Sequence, residues 1–347
     1  MGTAGRLLLA ALLLAGCSAP AQPAMAEVRV PGIPVTLTAD NGSLLVGLRR
    51  EGQSLVPALV RRAADGTTTE IPVRAASPYG LLATWQSITA RDGRYVAVGG
   101  ERGGAHGNVR WSVWAGTADG MAEQPQAFST FGGWGAGDQV DAAATPAGTV
   151  LVGSWESAQV GLDVAVWTGQ GDTWTRQSSA GTTLESKPGA LGFATAATGL
   201  DQGVLIAGWR LADRIEPVVW RSTPGVWSVT TLPDAGSSAT AMAVRCWGRN
   251  CLVAGQVDGK LAAWRFDGGW ARVGGLPEIQ ISDKDHLAAP VEVDGGPALV
   301  VTNGGRVELV RIGGSTTELR GPSGPVTATA VVSGKLFVVA GGRLWVN

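Results

Sequence analysis

The 347-residue chain has few of the residues that build metal sites or nucleic-acid surfaces. It has two histidines and three cysteines, and the Cys246/Cys251 pair has neither histidine nearby, so a tetrahedral metal site is not expected. Its 27 Lys and Arg nearly balance 28 Asp and Glu without forming a basic stripe, which argues against a nucleic-acid partner. No apolar run approaches the roughly eighteen residues of a transmembrane helix. We therefore expect no metal, no other cofactor and no nucleic acid.

Helical periodicity is also absent, and short apolar runs recur in its place. Seven such runs lie at 44–47, 96–99, 150–153, 205–208, 252–255, 299–303 and 338–341. Their spacing of roughly forty to fifty-five residues is typical of four-stranded propeller blades. Turn dipeptides such as Asn41-Gly42 and Asp92-Gly93 accept the positive φ angles of tight hairpins. The sequence thus predicts an all-β, seven-bladed β-propeller, with six blades and a partial cap as the alternative.

The fifth copy provides a template for the antiparallel blades. Its four strands are predicted at 239–245, 251–255, 261–266 and 270–273. The last copy, 327–347, ends after its third strand and leaves its blade one strand short. The segment Glu27–Val30 can fill this place, which would remove two exposed sheet edges. We expect one propeller domain over residues 27–347, closed by the N-terminal strand.

The first 26 residues have the pattern of an export signal followed by a tether. Arg6 precedes the apolar stretch Leu7–Leu14, which is too short to span a bilayer. Leu14-Ala15-Gly16-Cys17 resembles the lipobox of bacterial lipoproteins. That resemblance implies a signal peptide over residues 1–16, a lipid on the Cys17 thiol, and a flexible tether over residues 17–26. The expected localisation is the cell envelope, outside the cytoplasm, and the alternative is an ordinary secretory peptide cut near Met25-Ala26.

Cysteine usage agrees with export. Besides Cys17, only Cys246 and Cys251 remain, at the two ends of a predicted hairpin turn. Hairpin geometry brings such positions close enough for a disulfide, which an oxidising envelope would preserve. A reduced, half-buried pair is the alternative.

Tryptophan is the dominant aromatic residue, with 14 copies against five Phe and two Tyr. Most recur where the third strand ends or the fourth begins, a place where an indole packs between neighbouring blades and its N–H finds a backbone acceptor. Trp134, Trp155 and Trp209 fall outside this pattern.

The turns between third and fourth strands carry a family resemblance. Gly171, Thr173 and Trp174 resemble the second half of the Asp box of sialidases and related propellers, and the chain also resembles Kelch propellers. The resemblance implies the fold and no activity. A sialidase needs a Tyr nucleophile, and Tyr79 and Tyr95 are the only tyrosines, the latter inside an apolar strand.

Loop lengths indicate which face of the ring binds a partner. The connections from second to third strands and from fourth to first strands are long and charged, whereas the opposite turns are mostly tight. Trp155 and Trp209 follow second strands of adjacent blades, so we expect them side by side near the channel mouth. The candidate ligand-binding residues around this mouth are Arg49, Glu101, Arg102, Trp155, Glu156, Trp209 and Arg210.

These observations predict a membrane-anchored binding or scaffold module whose partner is an envelope protein or a glycan. No catalytic residue is assigned. One alternative is a sialidase-like glycan hydrolase with Glu101 or Glu156 as acid and base, for which the separation of the carboxylates decides. Another is a purely structural subunit of an envelope complex.

Overall fold

The computed structural model describes residues 24–52, 54–103, 107–223, 226–282 and 284–347. The described strands form seven sheets arranged in a ring, which is a seven-bladed β-propeller. This confirms the predicted fold class and excludes the six-bladed alternative. The signal peptide, Cys17 and most of the predicted tether lie outside the described residues.

The strands follow one another along the chain in blade order, after an N-terminal strand β1 (Ala26–Val28). Blade 1 contains β2 (Ile33–Asp40), β3 (Ser43–Arg50), β4 (Val56–Arg62) and β5 (Thr68–Ile71). A short strand β6 (Val73–Arg74) and helix α1 (Pro78–Leu82) lead to blade 2, with β7 (Thr84–Arg91), β8 (Arg94–Arg102), β9 (Val109–Thr117) and β10 (Gly120–Glu123). Helix α2 (Phe128–Phe131) leads to blade 3, with β11 (Ala136–Thr145), β12 (Gly148–Glu156), β13 (Leu162–Gln170) and β14 (Thr173–Arg176).

The remaining blades repeat this order. Blade 4 contains β15 (Leu191–Leu200), β16 (Gly203–Leu211), β17 (Ile215–Thr223) and β18 (Val226–Thr231). Blade 5 contains β19 (Ala239–Trp247), β20 (Asn250–Val257), β21 (Lys260–Phe266) and β22 (Trp270–Arg272). Blade 6 contains β23 (Val291–Val293), β24 (Gly296–Asn303), β25 (Arg306–Arg311) and β26 (Thr316–Ser323). Blade 7 contains β27 (Val326–Val332), β28 (Lys335–Ala340) and β29 (Arg343–Val346).

The strands are apolar on both faces because each blade is sandwiched between two others. In β3, Leu44 and Val46 pack against blade 7, whereas Leu45 between them packs against blade 2. Successive side chains of a strand point to opposite faces, so both faces need apolar residues and the strand reads as a continuous run. The turns have the expected geometry, with φ of 45° at Asn41 and 73° at Gly42.

Four repeat tryptophans form the largest buried side chains of the ring. Trp114, Trp167, Trp220 and Trp264 are at most 2% exposed. Three of them donate an indole hydrogen bond to the connection that enters their own blade, from Trp167 to the Thr130 carbonyl at 2.9 Å, from Trp220 to that of Thr183 at 2.9 Å, and from Trp264 to that of Pro233 at 2.7 Å. The Trp114 N–H has no hydrogen-bond partner, so the predicted backbone acceptor is present in three of these four blades.

The N-terminal strand closes the ring. β1 pairs antiparallel with β29, with Glu27 opposite Trp345. The Glu27 carboxylate forms an ion pair with Arg343 at 3.2 Å. The closing segment begins slightly earlier than predicted, since Met25 is 6% exposed in the core between blades 6 and 7. Ala26 pairs with Val346, at the end of β29 remote from the β28–β29 turn. The chain therefore enters the ring from the side opposite that turn.

Cys246 and Cys251 form the predicted disulfide. They are register partners in the β19–β20 hairpin, with Cα atoms 4.0 Å apart. The short Trp247–Asn250 connection between them matches the tight turn expected there. Among the described residues, no helix is long and apolar enough to cross a bilayer.

Candidate binding site

The two faces of the ring differ in what the connections carry. We call the face with the connections from second to third and from fourth to first strands the funnel face, and the other the turn face. Both helices, α1 and α2, lie in connections of the funnel face. So do residues 273–282, which are held there by hydrogen bonds from Leu261 N to Ile279 O at 2.8 Å and from Ile281 N to Gly259 O at 2.9 Å. The funnel face is thus the elaborated face that the sequence predicted.

The innermost strands share a β-bulge that shapes the central channel. In six blades the register of the first strand shifts at the same level and leaves one residue unpaired. These residues are Val35, Gln86, Val140, Thr195, Met242 and Thr327. A bulge bends its strand and re-aims the neighbouring side chains. In blade 6, where β23 is only three residues long, His286 and Leu287 line the channel instead.

Two cavities follow from this architecture. The mouth cavity, about 540 Å³, opens on the funnel face and is lined at the ends of the strands by residues that include Trp111, Asp138, Gln139, Trp209, Asp285 and His286. The channel cavity, about 500 Å³, runs between the first strands. Gln86, Val140, Thr195, Met242, His286 and Leu287 line both, so the mouth leads directly into the channel.

Two indoles form the aromatic wall of the mouth cavity. Trp209 stacks on Phe193 across the β15–β16 pair, with ring centroids 4.0 Å apart and planes 15° from parallel. Trp111 on β9 lies over its register partner Gly100, where an added Cβ would come within 2.8 Å of the Trp111 ring. Gly100 therefore leaves room for the Trp111 indole. Blade 2 supplies its indole from the third strand, whereas blade 4 supplies Trp209 from the second strand.

The titratable groups that line the mouth cavity are two carboxylates and one imidazole. Among the described residues, Asp138 and Asp285 are its carboxylates, His286 is its imidazole, and no Lys or Arg lines it. The Asp285 carboxylate accepts hydrogen bonds from the backbone N–H of Ser282 at 2.7 Å and from its hydroxyl at 2.9 Å. His286 is exposed to the cavity, yet the protein atoms around it displace water and lower its pKa below the ordinary value of 6.5.

Two buried polar atoms on this wall lack partners. The Gln139 side chain is 3% exposed and its Oε1 accepts no hydrogen bond. The Thr240 side chain is 8% exposed and its Oγ1 is also unpartnered. Buried polar atoms without partners are uncommon in native proteins and call for an explanation, such as a ligand or an ordered water.

Deeper in the channel, Asp141 connects three blades. Its Oδ1 accepts hydrogen bonds from the Ser87 hydroxyl on blade 2 at 2.5 Å and from its neighbour Ala142 N at 2.8 Å, while Oδ2 accepts from Ala197 N on blade 4 at 2.8 Å. Burial raises the pKa of Asp141 above its ordinary value, and the hydrogen bonds from Ser87, Ala197 and Ala142, followed by the Arg245 guanidinium, oppose this shift. Burial likewise lowers the pKa of Arg245, and Asp141 opposes that shift.

The two tryptophans expected side by side point away from each other. Gly153 in blade 3 and Gly208 in blade 4 are equivalent, because each pairs with the residue before the bulge. Trp209 follows its glycine by one residue and Trp155 by two, so their side chains lie on opposite faces of their sheets. Trp209 faces the mouth cavity, whereas Trp155 packs on Trp167, with centroids 6.3 Å apart, and beneath Arg176 at 4.8 Å.

The other predicted binding residues make local contacts. Arg210 forms a 3.0 Å ion pair with Glu216, and Arg102 donates to the Gly107 carbonyl at 2.7 Å. Glu101 lies opposite Arg110 in the β8–β9 ladder. Glu156 is exposed at the end of β12, and Arg49 has a buried Nε without a partner. Of the seven predicted binding residues, Trp209 lines the mouth cavity and the other six do not.

Several residues of the mouth cavity were not predicted. Trp111 precedes the repeat tryptophan Trp114 by three positions, so it too lies outside the repeat positions, and this was the signal available in the sequence. Asp138, Gln139 and Thr240 lie on first strands, and the bulge that brings them to the wall of the mouth leaves no sequence signature. Among the described residues, no group of three or more His, Cys, Asp and Glu is arranged to hold a metal ion.

No family model matches this chain, and no curated protein matches it. Solved structures with a similar fold include YCF48 bound to D1 peptide, with 13% identity, a TM-score of 0.54, and coverage of 95% of this chain and 98% of that one. A fungal, six-bladed lectin from Aleuria aurantia that recognises fucose has 15% identity, a TM-score of 0.52, and coverage of 88% and 99%. An acylaminoacyl peptidase from Pyrococcus horikoshii has 11% identity, a TM-score of 0.53, and coverage of 88% and 48%. The chain spans about half the length of that peptidase, and identities this low establish the fold alone.

Proposed function

We propose that the protein is an exported binding module, held at a membrane by a lipid on Cys17, and that its funnel face recognises a protein or glycan partner. The observation that carries this proposal is the mouth cavity of about 540 Å³ with Trp111 and Trp209 on its wall. Ligand sites are typically concave, of about 300–1,000 Å³, with apolar and aromatic walls and a few polar groups. Similar folds include a peptide complex and a fucose-recognising lectin, which is consistent with binding at such a face.

The path of the N-terminus supports the anchored arrangement. The chain enters the ring at the turn face, because Ala26 pairs with Val346 at that end of β29. Cys17 precedes Ala24, the first described residue, by seven positions, which span at most about 25 Å when extended. A lipid on Cys17 would hold the turn face near the membrane and leave the funnel face accessible to a partner.

The anchor is tested by Cys17→Ala in the producing cell. We expect loss of lipid labelling and release of the protein from the membrane fraction, whereas unchanged membrane association would contradict the lipid anchor.

The binding face is tested by Trp209→Ala against a glycan array and envelope extracts. Loss of a buried aromatic anchor should weaken binding by about 1–3 kcal/mol, or roughly 5- to 150-fold. Val226→Ala is the control, since Val226 is a 61% exposed apolar residue at the start of β18, on the turn face. Binding that survives Trp209→Ala as well as it survives Val226→Ala would contradict the assignment of this face.

A further inference from the structure

The charge of the mouth cavity limits what it can hold. Asp138 and Asp285 line it without an opposing Lys or Arg among the described residues. His286, the third titratable group, has a lowered pKa and is therefore neutral at pH 7. A ligand carrying a carboxylate or phosphate would meet two like charges here, whereas a cation would meet two opposite charges.

Nearby arginines do not neutralise these carboxylates. Arg210 and Arg214 are both within ion-pair distance of Glu216, at 3.0 and 3.7 Å. Arg110 lies over the rings of Phe128 at 4.8 Å and Tyr79 at 5.9 Å, outside the mouth cavity. Arg245 lines the channel cavity rather than the mouth, and the nearby Asp141 carboxylate stabilises its positive charge.

The hydrogen-bonding chemistry of the wall has the same preference. The Asp138 side chain is exposed, and its carboxylate carries only acceptors. Lysine ammonium and arginine guanidinium groups carry only donors, so either can pair with it. The aromatic wall adds a favourable surface, because cations are attracted to the face of an indole ring within about 6 Å.

We infer that the mouth cavity binds a basic side chain, lysine or arginine, presented by a protein partner. This inference rests on the proposed binding function of the funnel face and names the chemistry of its ligand. The aliphatic stem of the basic side chain would lie along Trp111, Trp209 and Met242, and its charged end would reach the Asp138 carboxylate.

The test measures binding of blocked pentapeptides to the full-length protein in detergent by calorimetry. The panel has glycine at four positions and Lys, Arg, norleucine, Gln or Glu at the centre. Binding of the Lys or Arg peptide at least tenfold tighter than that of the norleucine and Gln peptides, weakening with added salt, supports the inference. Equal binding of the neutral peptides, or preference for Glu, overturns it.

Two variants connect the binding to the cavity. Asp138→Asn should weaken the Lys or Arg peptide at least fivefold, because Asp138 is exposed and its carboxylate is available to the ligand. Asp119→Asn is the matched control, removing the same charge from an exposed turn of blade 2. Equal affinities of the two variants, with both melting at the wild-type temperature, would overturn the assignment.

The two proposals fail in different ways. If a neutral glycan binds and Trp209→Ala abolishes that binding while the basic peptides do not bind, the inference about the basic side chain is wrong and the binding face stands. If no ligand on the glycan array, in the peptide panel or in envelope extracts depends on Trp209, both are wrong.

Discussion

The carboxylate of Asp141 accepts a hydrogen bond from the backbone N–H of Ala197, which lies on the next blade, at 2.8 Å. The same carboxylate accepts the Ser87 hydroxyl from the preceding blade, so one side chain joins three consecutive inner strands. Other inner strands are linked by single hydrogen bonds, such as that from Thr195 Oγ1 to Ala241 O at 2.8 Å, and by apolar clusters such as those around Leu45 and Trp220. Asp141 therefore adds directional bonds where the bulges interrupt the regular ladders.

Replacing Asp141 by Ala should destabilise the ring. The change leaves the Ala197 N–H and the Ser87 hydroxyl without their acceptor, while the Ala142 N–H keeps a 3.2 Å bond to Ser87 Oγ. Leaving such groups unsatisfied costs about 1–3 kcal/mol. Urea unfolding measures this cost. Thr89→Ala is the control, since Thr89 makes one comparable contact, accepting from Ala144 N at 3.3 Å, and an equal loss in both variants would contradict the special role of Asp141.

Removing the closing strand should lower the melting temperature. A chain that starts at Pro31 lacks β1 and the buried side chains of Met25 and Val28. Burying a side chain of this size contributes about 1.5–3 kcal/mol, so we expect a decrease of several degrees in calorimetry. The control chain starts at Ala24 and keeps β1. Identical melting of the two chains would show that β1 does not stabilise the closed ring.

Loss of the disulfide should have a smaller, measurable effect. Cys246 and Cys251 are five positions apart, and closing so short a loop contributes about 2 kcal/mol in the chain-entropy model. The double variant Cys246→Ser, Cys251→Ser should show this decrease in urea unfolding. Adding a reductant should lower the stability of the wild type and leave that of the variant unchanged. A wild type that is insensitive to complete reduction would contradict this expectation.

Stability should fall in mild acid because of His286. Its pKa is lowered in the folded protein, mainly by desolvation, so below about pH 6.5 the unfolded chain binds this proton more readily than the folded one does. The contribution of His286 is complete above that pH and is lost as the pH falls through the folded-state pKa. Urea midpoints at pH 7.5 and 5.5 should differ more in the wild type than in His286→Gln, and equal differences would contradict this role.

The blade repeat could be predicted because its signals are local. A run such as Leu252–Gly255 between turn residues defines a strand, and Asp258-Gly259 defines the next hairpin, with φ of 51° and 78°. The template strands at 239–245 and 261–266 correspond to β19 and β21 within two residues at each end. Blade 7 is one strand short in the sequence, which pointed to the N-terminal segment as the strand that completes it, since an open edge leaves backbone groups unpaired.

What the sequence by itself determined was therefore the number of blades, their closure, the disulfide and the face that carries the long connections. Only the tertiary structure decided which side chains meet at the mouth. Side chains alternate between the two faces of a strand, so a one-residue offset relative to Gly153 and Gly208 separates Trp155 from Trp209. The bulges that place Gln139 and Thr240 on the cavity wall depend on how the strands pair around the ring, and pairing between strands is not encoded in the local pattern of either strand.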